Sequence, residues 1–149
     1  MPDRKPPPQG LIPYLIVRGA RDAVAFYERA LNAALVYELA MPDGRLGHAE
    51  LTIGSARLML ADEFPEMDYL SPTSRGGSSV SLALYVEDVD ASVQRAVAAG
   101  ASLTRPIKNE FFGDRVAHLT DPFGHRWSLH TRIEDVSPEE MRARMEAAG

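Results

Sequence analysis

Five side chains able to bind a cation or move a proton fall on three short segments. His48 and Glu50 stand in LGHAELTI, His118 in RVAHLT, and Ser128 and His130 in DPFGHRWSLH. Imidazole and carboxylate groups ligate divalent metals and also serve as general bases. Whether they can cooperate depends on strand alternation, because successive side chains of a strand point to opposite faces. In LGHAELTI the apolar residues Ala49, Leu51 and Ile53 take one face, so His48, Glu50 and Thr52 share the other. Trp127 and Leu129 likewise leave Arg126, Ser128 and His130 together, and Ala117 and Leu119 leave Val116, His118 and Thr120. One chemistry would be chelation of a divalent metal by His48 and Glu50, completed by His118 or His130. Another would be metal-free acid/base work, with Glu50 or His48 as the catalytic candidate. Against both stands a pocket merely lined by hydrogen-bonding groups. Same-face neighbours on a strand lie about 7 Å apart, and an HxE on a strand arises readily by chance. Pocket lining is the preferred reading.

The rest of DPFGHRWSLH reads as architecture. Asp121 suits the first position of a turn, accepting backbone N–H bonds. His125 directly follows that turn and reads as a turn-stabilising or surface residue. Trp127 reads as a core plug beneath a helix. The nearby KNEFFGDR (residues 108–115) carries Phe111 and Phe112, either of which could stack on a flat ligand, and Arg115 is expected to pair with Asp114 or Glu110.

These residues are positioned by two similar halves. A strand at residues 11–17 is followed by a helix with Ala23, Phe26, Tyr27, Ala30 and Leu31 at helical spacing, then by strands at 34–40, in LGHAELTI and in ARLMLAD. The second half repeats the order. A strand at 80–86 precedes the helix DVDASVQRAVAAG, capped by Asp88 or Asp90 and stopped at Gly100, and strands follow at 101–105, 115–120 and 125–131. Val17 answers to Val86. The expected fold is therefore α+β, with two βαβββ modules in pseudo-twofold arrangement and the helices on the outer face. The expected divisions are a flexible proline-rich arm (1–10), a first module (11–63), an inter-module loop (64–79), a second module (80–132) and a C-terminal helix (133–149). SPEEMRARMEAA has the Ser-Pro-x-Glu start of a capped helix and is expected to be amphipathic.

Composition narrows the function. The 149 residues fit one domain; 45% hydrophobic and 25% charged residues are ordinary for a globular protein. The absence of cysteine excludes disulfides, thiolate zinc sites and cysteine nucleophiles. A net charge of −5 argues against nucleic acid or an anionic membrane as partner. No apolar run approaches the ~20 residues that span a bilayer, and MPDRKPPPQG lacks the apolar stretch of an export signal. The expected location is the cytoplasm.

The paired modules, with GHAELTIG, YVEDVDA, GDR and DPFGHRWSLHTRIEDVSPEEM, resemble the vicinal-oxygen-chelate superfamily. This group contains glyoxalases, bleomycin-resistance proteins and extradiol dioxygenases, and the motifs are similar to its PhnB-like branch. The resemblance implies a curved mixed sheet around a cavity facing away from the helices, and a homodimer that completes it. It also implies metal-ligand positions, which fall here on Ile12, Leu60, Ser81 and Ser128. Aliphatic and hydroxyl groups are not donors for such an ion, so no cofactor is expected there. The expected pocket comprises Tyr14, His48, Glu50, Leu60, Ser81, Tyr85, Phe112, His118, Arg126, Ser128 and His130, with Ile12, Leu58 and Ala83 adding apolar wall. A largely apolar cup with a few polar groups suits a small molecule. The expected function is sequestration of an aromatic or planar ligand, as in bleomycin-resistance proteins. The alternative is a lyase, isomerase or dioxygenase using His48, Glu50 and His118 or His130. Whether the chain is an enzyme stays open at this point.

Overall fold

Each half of the chain builds its own four-stranded sheet in the computed structural model, which describes residues 4–8 and 10–149. In the first half, β1 (Tyr14–Val17) leads into α1 (Ala20–Leu31), then β2 (Ala34–Ala40), β3 (Leu46–Ile53) and β4 (Ala56–Asp62). After a short α2 (Pro72–Arg75), the second half gives β5 (Ser81–Tyr85), α3 (Val89–Ala99), β6 (Ser102–Asn109), β7 (Asp114–Thr120) and β8 (Arg126–Arg132), and α4 (Pro138–Ala148) closes the chain. The sheet orders are β1-β4-β3-β2 and β5-β8-β7-β6. In each, the first strand runs parallel to its neighbour and the remaining pairs are antiparallel. The fold is α+β with two βαβββ modules, as the repeat predicts.

The modules are joined through their helical faces. Leu15, Val17, Ala49, Leu51, Leu58 and Leu60 of the first sheet share one core with Ala117, Leu119, Trp127 and Leu129 of the second. Between them lie Ala23, Phe26, Tyr27 and Ala30 of α1 and Val89, Val93 and Ala96 of α3. The stripes meet because apolar residues recur at three- and four-residue spacing on both helices. Into this apolar joint the chain inserts one carboxylate. Asp121 Oδ1 accepts the backbone N–H groups of Phe123 and His125, at 2.9 and 3.0 Å. Its Oδ2 accepts the Tyr27 hydroxyl at 2.5 Å and the Trp127 indole N–H at 2.9 Å. Burial first, then the adjacent Asp121 charge, hold the Tyr27 hydroxyl well above its ordinary pKa. Asp121 thus caps its own turn as expected and also ties α1 to the second module. His125, expected to be a turn-stabilising or surface residue, gives its backbone N–H to the turn and also reaches across the joint, where its Nε2 donates to the carbonyl of Ile16 on β1 at 2.9 Å.

Several expected boundaries shift. The strand expected at 101–105 runs on to Asn109. Within residues 64–79 lie a 3₁₀ turn (Pro65–Met67) and α2, whose N-cap Ser71 accepts from Ser74 N–H. Asp88 is the N-cap of α3, accepting from Ala91 N–H. Ser137 caps α4 through Glu140 N–H, yet α4 buries no residue. The expected amphipathic character is not seen, since its charges surround it; the helix is tied down instead by Arg144, which reaches Glu134 and the carbonyl of Phe111. Gly113 lets this tail approach, because a Cβ there would lie 2.4 Å from the Glu134 carbonyl oxygen. Of the arm, residues 1–3 and 9 lie outside the described residues; Pro6, Pro7 and Pro8 share a shallow hollow with Tyr37, Glu50 and Arg57.

Tyr27→Phe removes one donor from Asp121 and should cost about 1–2 kcal/mol, read from the urea midpoint. Glu63 provides a pH test. Hydrogen bonds from Ser74 and Ser71 pull its carboxyl down from 4.5 to about 2. A lowered carboxylate contributes stability above its unfolded value and loses it as pH falls through the folded one. Glu63→Gln should therefore be less stable than the native chain at pH 7, with the gap closing between about 4.5 and about 2.

Candidate functional site

The register of the strands sorts the candidate residues onto the sheet faces opposite the helices. On the first sheet Tyr37, Glu50, Met59 and Tyr14 form one row across four strands, and Thr52 lies opposite Arg57. His48 shares a 2.8 Å hydrogen bond through Nδ1 with the Tyr14 hydroxyl, and the Tyr37 ring lies 5.5 Å from the imidazole. Burial, followed by the nearby Tyr69 and Tyr37, raises the Tyr14 hydroxyl pKa. Glu50 is 5% exposed and is neutralised by an ion pair with Arg57. This pairing explains how a carboxylate survives near-complete burial.

Leu60 is not part of this face. It pairs with Ala49 and Leu15 and is 0% exposed in the core. The spacing that relates Val17 to Val86 also relates Leu60 to the core residue Leu129, and Met59 to Ser128. The carried-over position was one residue out of register, which turns a side chain to the opposite face. Met59 holds the place expected of Leu60, and Leu58 likewise faces the core.

The second sheet carries a more connected set. Ala83, Ser128, His118 and Arg105 form one row; Tyr85, His130 and Val116 form the next; Asp114 lies opposite Arg132. Asp114 is 1% exposed and is the hub. Its Oδ2 accepts the Tyr85 hydroxyl at 2.6 Å and His130 Nδ1 at 3.1 Å, and its Oδ1 accepts Arg132 Nε at 2.6 Å. Burial alone would raise this carboxyl; the hydrogen bonds from Tyr85, Arg132 and His130 outweigh it and hold the pKa below the ordinary value. The other imidazole nitrogen, His130 Nε2, is 2.9 Å from Ser128 Oγ. The Tyr85 and Phe112 rings flank the imidazole, with centroids at 5.1 and 6.4 Å. His118 has a lowered pKa, from burial first and Arg105 next.

Tyr14 and His48 are thus brought together, as are Tyr85, Phe112, Ser128 and His130. The two groups are not brought to each other. Among the described residues, no three His, Asp or Glu side chains are grouped so as to hold one ion, so His48 and Glu50 do not join His118 or His130 within one chain. Ile12 and Ser81 both line a groove of about 470 Å³ between the sheets. Arg115 pairs with neither Asp114 nor Glu110. It faces the helix side and makes a bidentate contact with Asp90 of α3, at 2.9 and 3.0 Å. Asp114 and Arg132 were missed as site residues, although the parity of Asp114, Val116 and His118 places them on one face.

A family model described as Glyoxalase/Bleomycin resistance protein/Dioxygenase superfamily matches residues 12–129. The chain belongs to this superfamily. It is 40% identical over 142 residues to the uncharacterised protein Mb0911c of Mycobacterium bovis, covering 93% of each chain. Protein PA1353 of Pseudomonas aeruginosa superposes with a TM-score of 0.68 at 27% identity, over 85% of this chain and 100% of that one. A Bacillus cereus structure described as a putative 3-demethylubiquinone-9 3-methyltransferase, PhnB protein, shares the fold. Its TM-score is 0.63 at 18% identity, over 83% of this chain and 99% of that one.

The superfamily often binds a metal. With the register corrected, the four positions that correspond by resemblance carry Ile12, Met59, Ser81 and Ser128. One aliphatic group, one thioether and two hydroxyls do not suit a divalent cation that wants imidazole or carboxylate.

Asp114→Asn weakens bonds to Arg132, His130 and Tyr85 together. Unfolding should be easier by about 2–3 kcal/mol, measured by denaturant titration.

Proposed function

We propose that the protein is a cytoplasmic, homodimeric small-molecule binder that takes an aromatic or planar ligand on these sheet faces without the superfamily's usual metal site. One observation carries the reading. The faces are walled by aromatic rings, with Tyr14 45% and Tyr85 56% exposed, where the metal-ligand positions hold Ile12, Met59, Ser81 and Ser128. A cup needs two facing walls, and within one chain the faces of the two modules stay open. A second copy, bringing its own module opposite, supplies the missing wall and covers these rings. Burying them on association is favourable by roughly 25 cal/mol per Å² of apolar surface.

The ligand is fixed by few polar groups. Tyr14–His48 offers one tunable donor or acceptor on the first face, and Ser128 with His130 offers another on the second. Arg126 and His118 add positive charge and an imidazole beside Ser128. This composition, apolar walls with a small number of placed polar groups, is that of a small-molecule site.

The test is a thermal-shift screen of the purified dimer against planar aromatic compounds and against zinc, nickel and manganese. A ligand at about 100 times its Kd stabilises by about 2.7 kcal/mol. Aromatic compounds should raise Tm, and Tyr85→Ala should abolish the shift. A stoichiometric metal retained through chelator-free purification, and lost in both His48→Ala and Glu50→Ala, would overturn the metal-free reading. A monomer by sedimentation at micromolar concentration would remove the second wall.

A further inference from the structure

The second sheet holds an arrangement that ligand sequestration does not require. Asp114 Oδ2, His130 Nδ1, His130 Nε2 and Ser128 Oγ form an unbroken hydrogen-bonded line, with links of 3.1 and 2.9 Å. We propose that Ser128 is a nucleophile activated by His130 and positioned through Asp114, and that the cup hydrolyses small esters carrying an anionic group. The inference rests on the cup being a small-molecule site.

The tautomer follows from the partners. A carboxylate can only accept, so Nδ1 carries the proton toward Asp114 and Nε2 keeps its lone pair toward Ser128 Oγ–H. This is the acceptor a hydroxyl needs in order to lose its proton on attack. The imidazole cannot turn away, because Tyr85 and Phe112 flank it and Tyr85 and Arg132 anchor the same carboxylate. The line arises from pairing between adjacent strands: Ser128 and His130 stand two apart on β8, and Asp114 lies on β7 opposite Arg132. Ser128 is 7% exposed, and access comes from β5, whose Ser81 and Ala83 are exposed beside it.

The substrate class follows from what surrounds Ser128. His118 lies directly across on β7, Arg126 is two residues along β8, and Arg105 lies across from His118 on β6. The charges of Arg105, Glu110 and Arg126 all act on His118, two positive against one negative. The excess of positive charge, Arg126 on the same strand as the serine and Arg105 beyond His118, favours an anionic substituent, and His118 and Arg126 are the available donors for a developing oxyanion.

In the first step a bond forms from Ser128 Oγ to the carbonyl carbon. The hydroxyl proton passes to His130 Nε2, and the carbonyl π pair moves onto oxygen. Collapse breaks the ester C–O bond, and the alcohol leaves with the proton from Nε2. Water then attacks the acyl-serine, giving its proton to Nε2. Release of the carboxylic acid returns that proton to Oγ, and no redox partner or external cofactor is consumed.

The test treats the full-length protein with a fluorophosphonate probe and locates the adduct by peptide mass spectrometry. One adduct, on Ser128, is expected, absent in Ser128→Ala and at least 100-fold slower in His130→Gln. Asp114→Asn should slow labelling at least 10-fold, and Asp114→Glu, which keeps a carboxylate for His130, should recover most of the rate; a merely structural loss would leave both variants equally slow. If Asp114→Asn does not fold, Tyr85→Phe, which removes one bond to the same carboxylate, should slow labelling of Ser128 without changing the site of the adduct. 4-Nitrophenyl hemisuccinate should be cleaved at least 10-fold faster than 4-nitrophenyl acetate, and Arg126→Gln should erase the difference. Labelling of native protein no faster than of Ser128→Ala overturns the nucleophile, and equal rates on the two esters overturn the substrate class. Aromatic thermal shifts without labelling would sink this inference and leave the binding reading standing; labelling without such shifts would do the reverse.

Discussion

The fold turns on one buried carboxylate at the joint between its halves. Asp121 stands where the α1 aromatics meet the second sheet, and a lone charge there would be prohibitive without partners. Four donors, two backbone and two side-chain, satisfy it. Apolar burial supplies most of the attraction between the modules, but it is directionless. The Asp121 bonds fix which turn of α1 lies over which end of β8. The helical sides are thereby sealed, and every polar candidate is left on the opposite faces.

Those faces divide the chemistry unequally. The first sheet neutralises its carboxylate locally, Glu50 against Arg57, and leaves His48 to a tyrosine hydroxyl. The second concentrates three groups on Asp114, one of them an imidazole that in turn meets a serine. A carboxylate consumed by an ion pair contributes little beyond packing. One that orients an imidazole has a use for its charge. This contrast makes the second module the better connected of the two, although the sequence draws the eye to the HxE of the first.

How much of this could be read from the chain alone depends on the length scale of each signal. Period-two alternation is local, so the facing of His48, Glu50, His118, Ser128 and His130 was legible, and so was the repeat of two βαβββ units. Leu60 was misplaced because apolar residues occupy consecutive positions in RLMLAD, and only pairing with Ala49 and Leu15 reveals which of them face the core. Arg115 was misassigned because a carboxylate adjacent in sequence points to the other side of a strand, while Asp90, distant in sequence, lies on the same side. Asp114 was overlooked for a related reason: its partners come from β5 and β8, and a contact across three strands leaves no mark in any short window.

The joint also carries a consequence for how the two repeats relate. Under the offset that links Val17 to Val86, the place of Asp121 is taken in the first repeat by Thr52, that of Trp127 by Leu58, and Tyr27 falls on Ala96. Only one repeat brings the acceptor, and only the other brings the phenol that reaches it. The halves are therefore lock and key to each other despite their common outline. A chain built from two copies of either repeat would keep the strand order and lose the fastening, so the symmetry visible in the backbone is one the side chains have already given up.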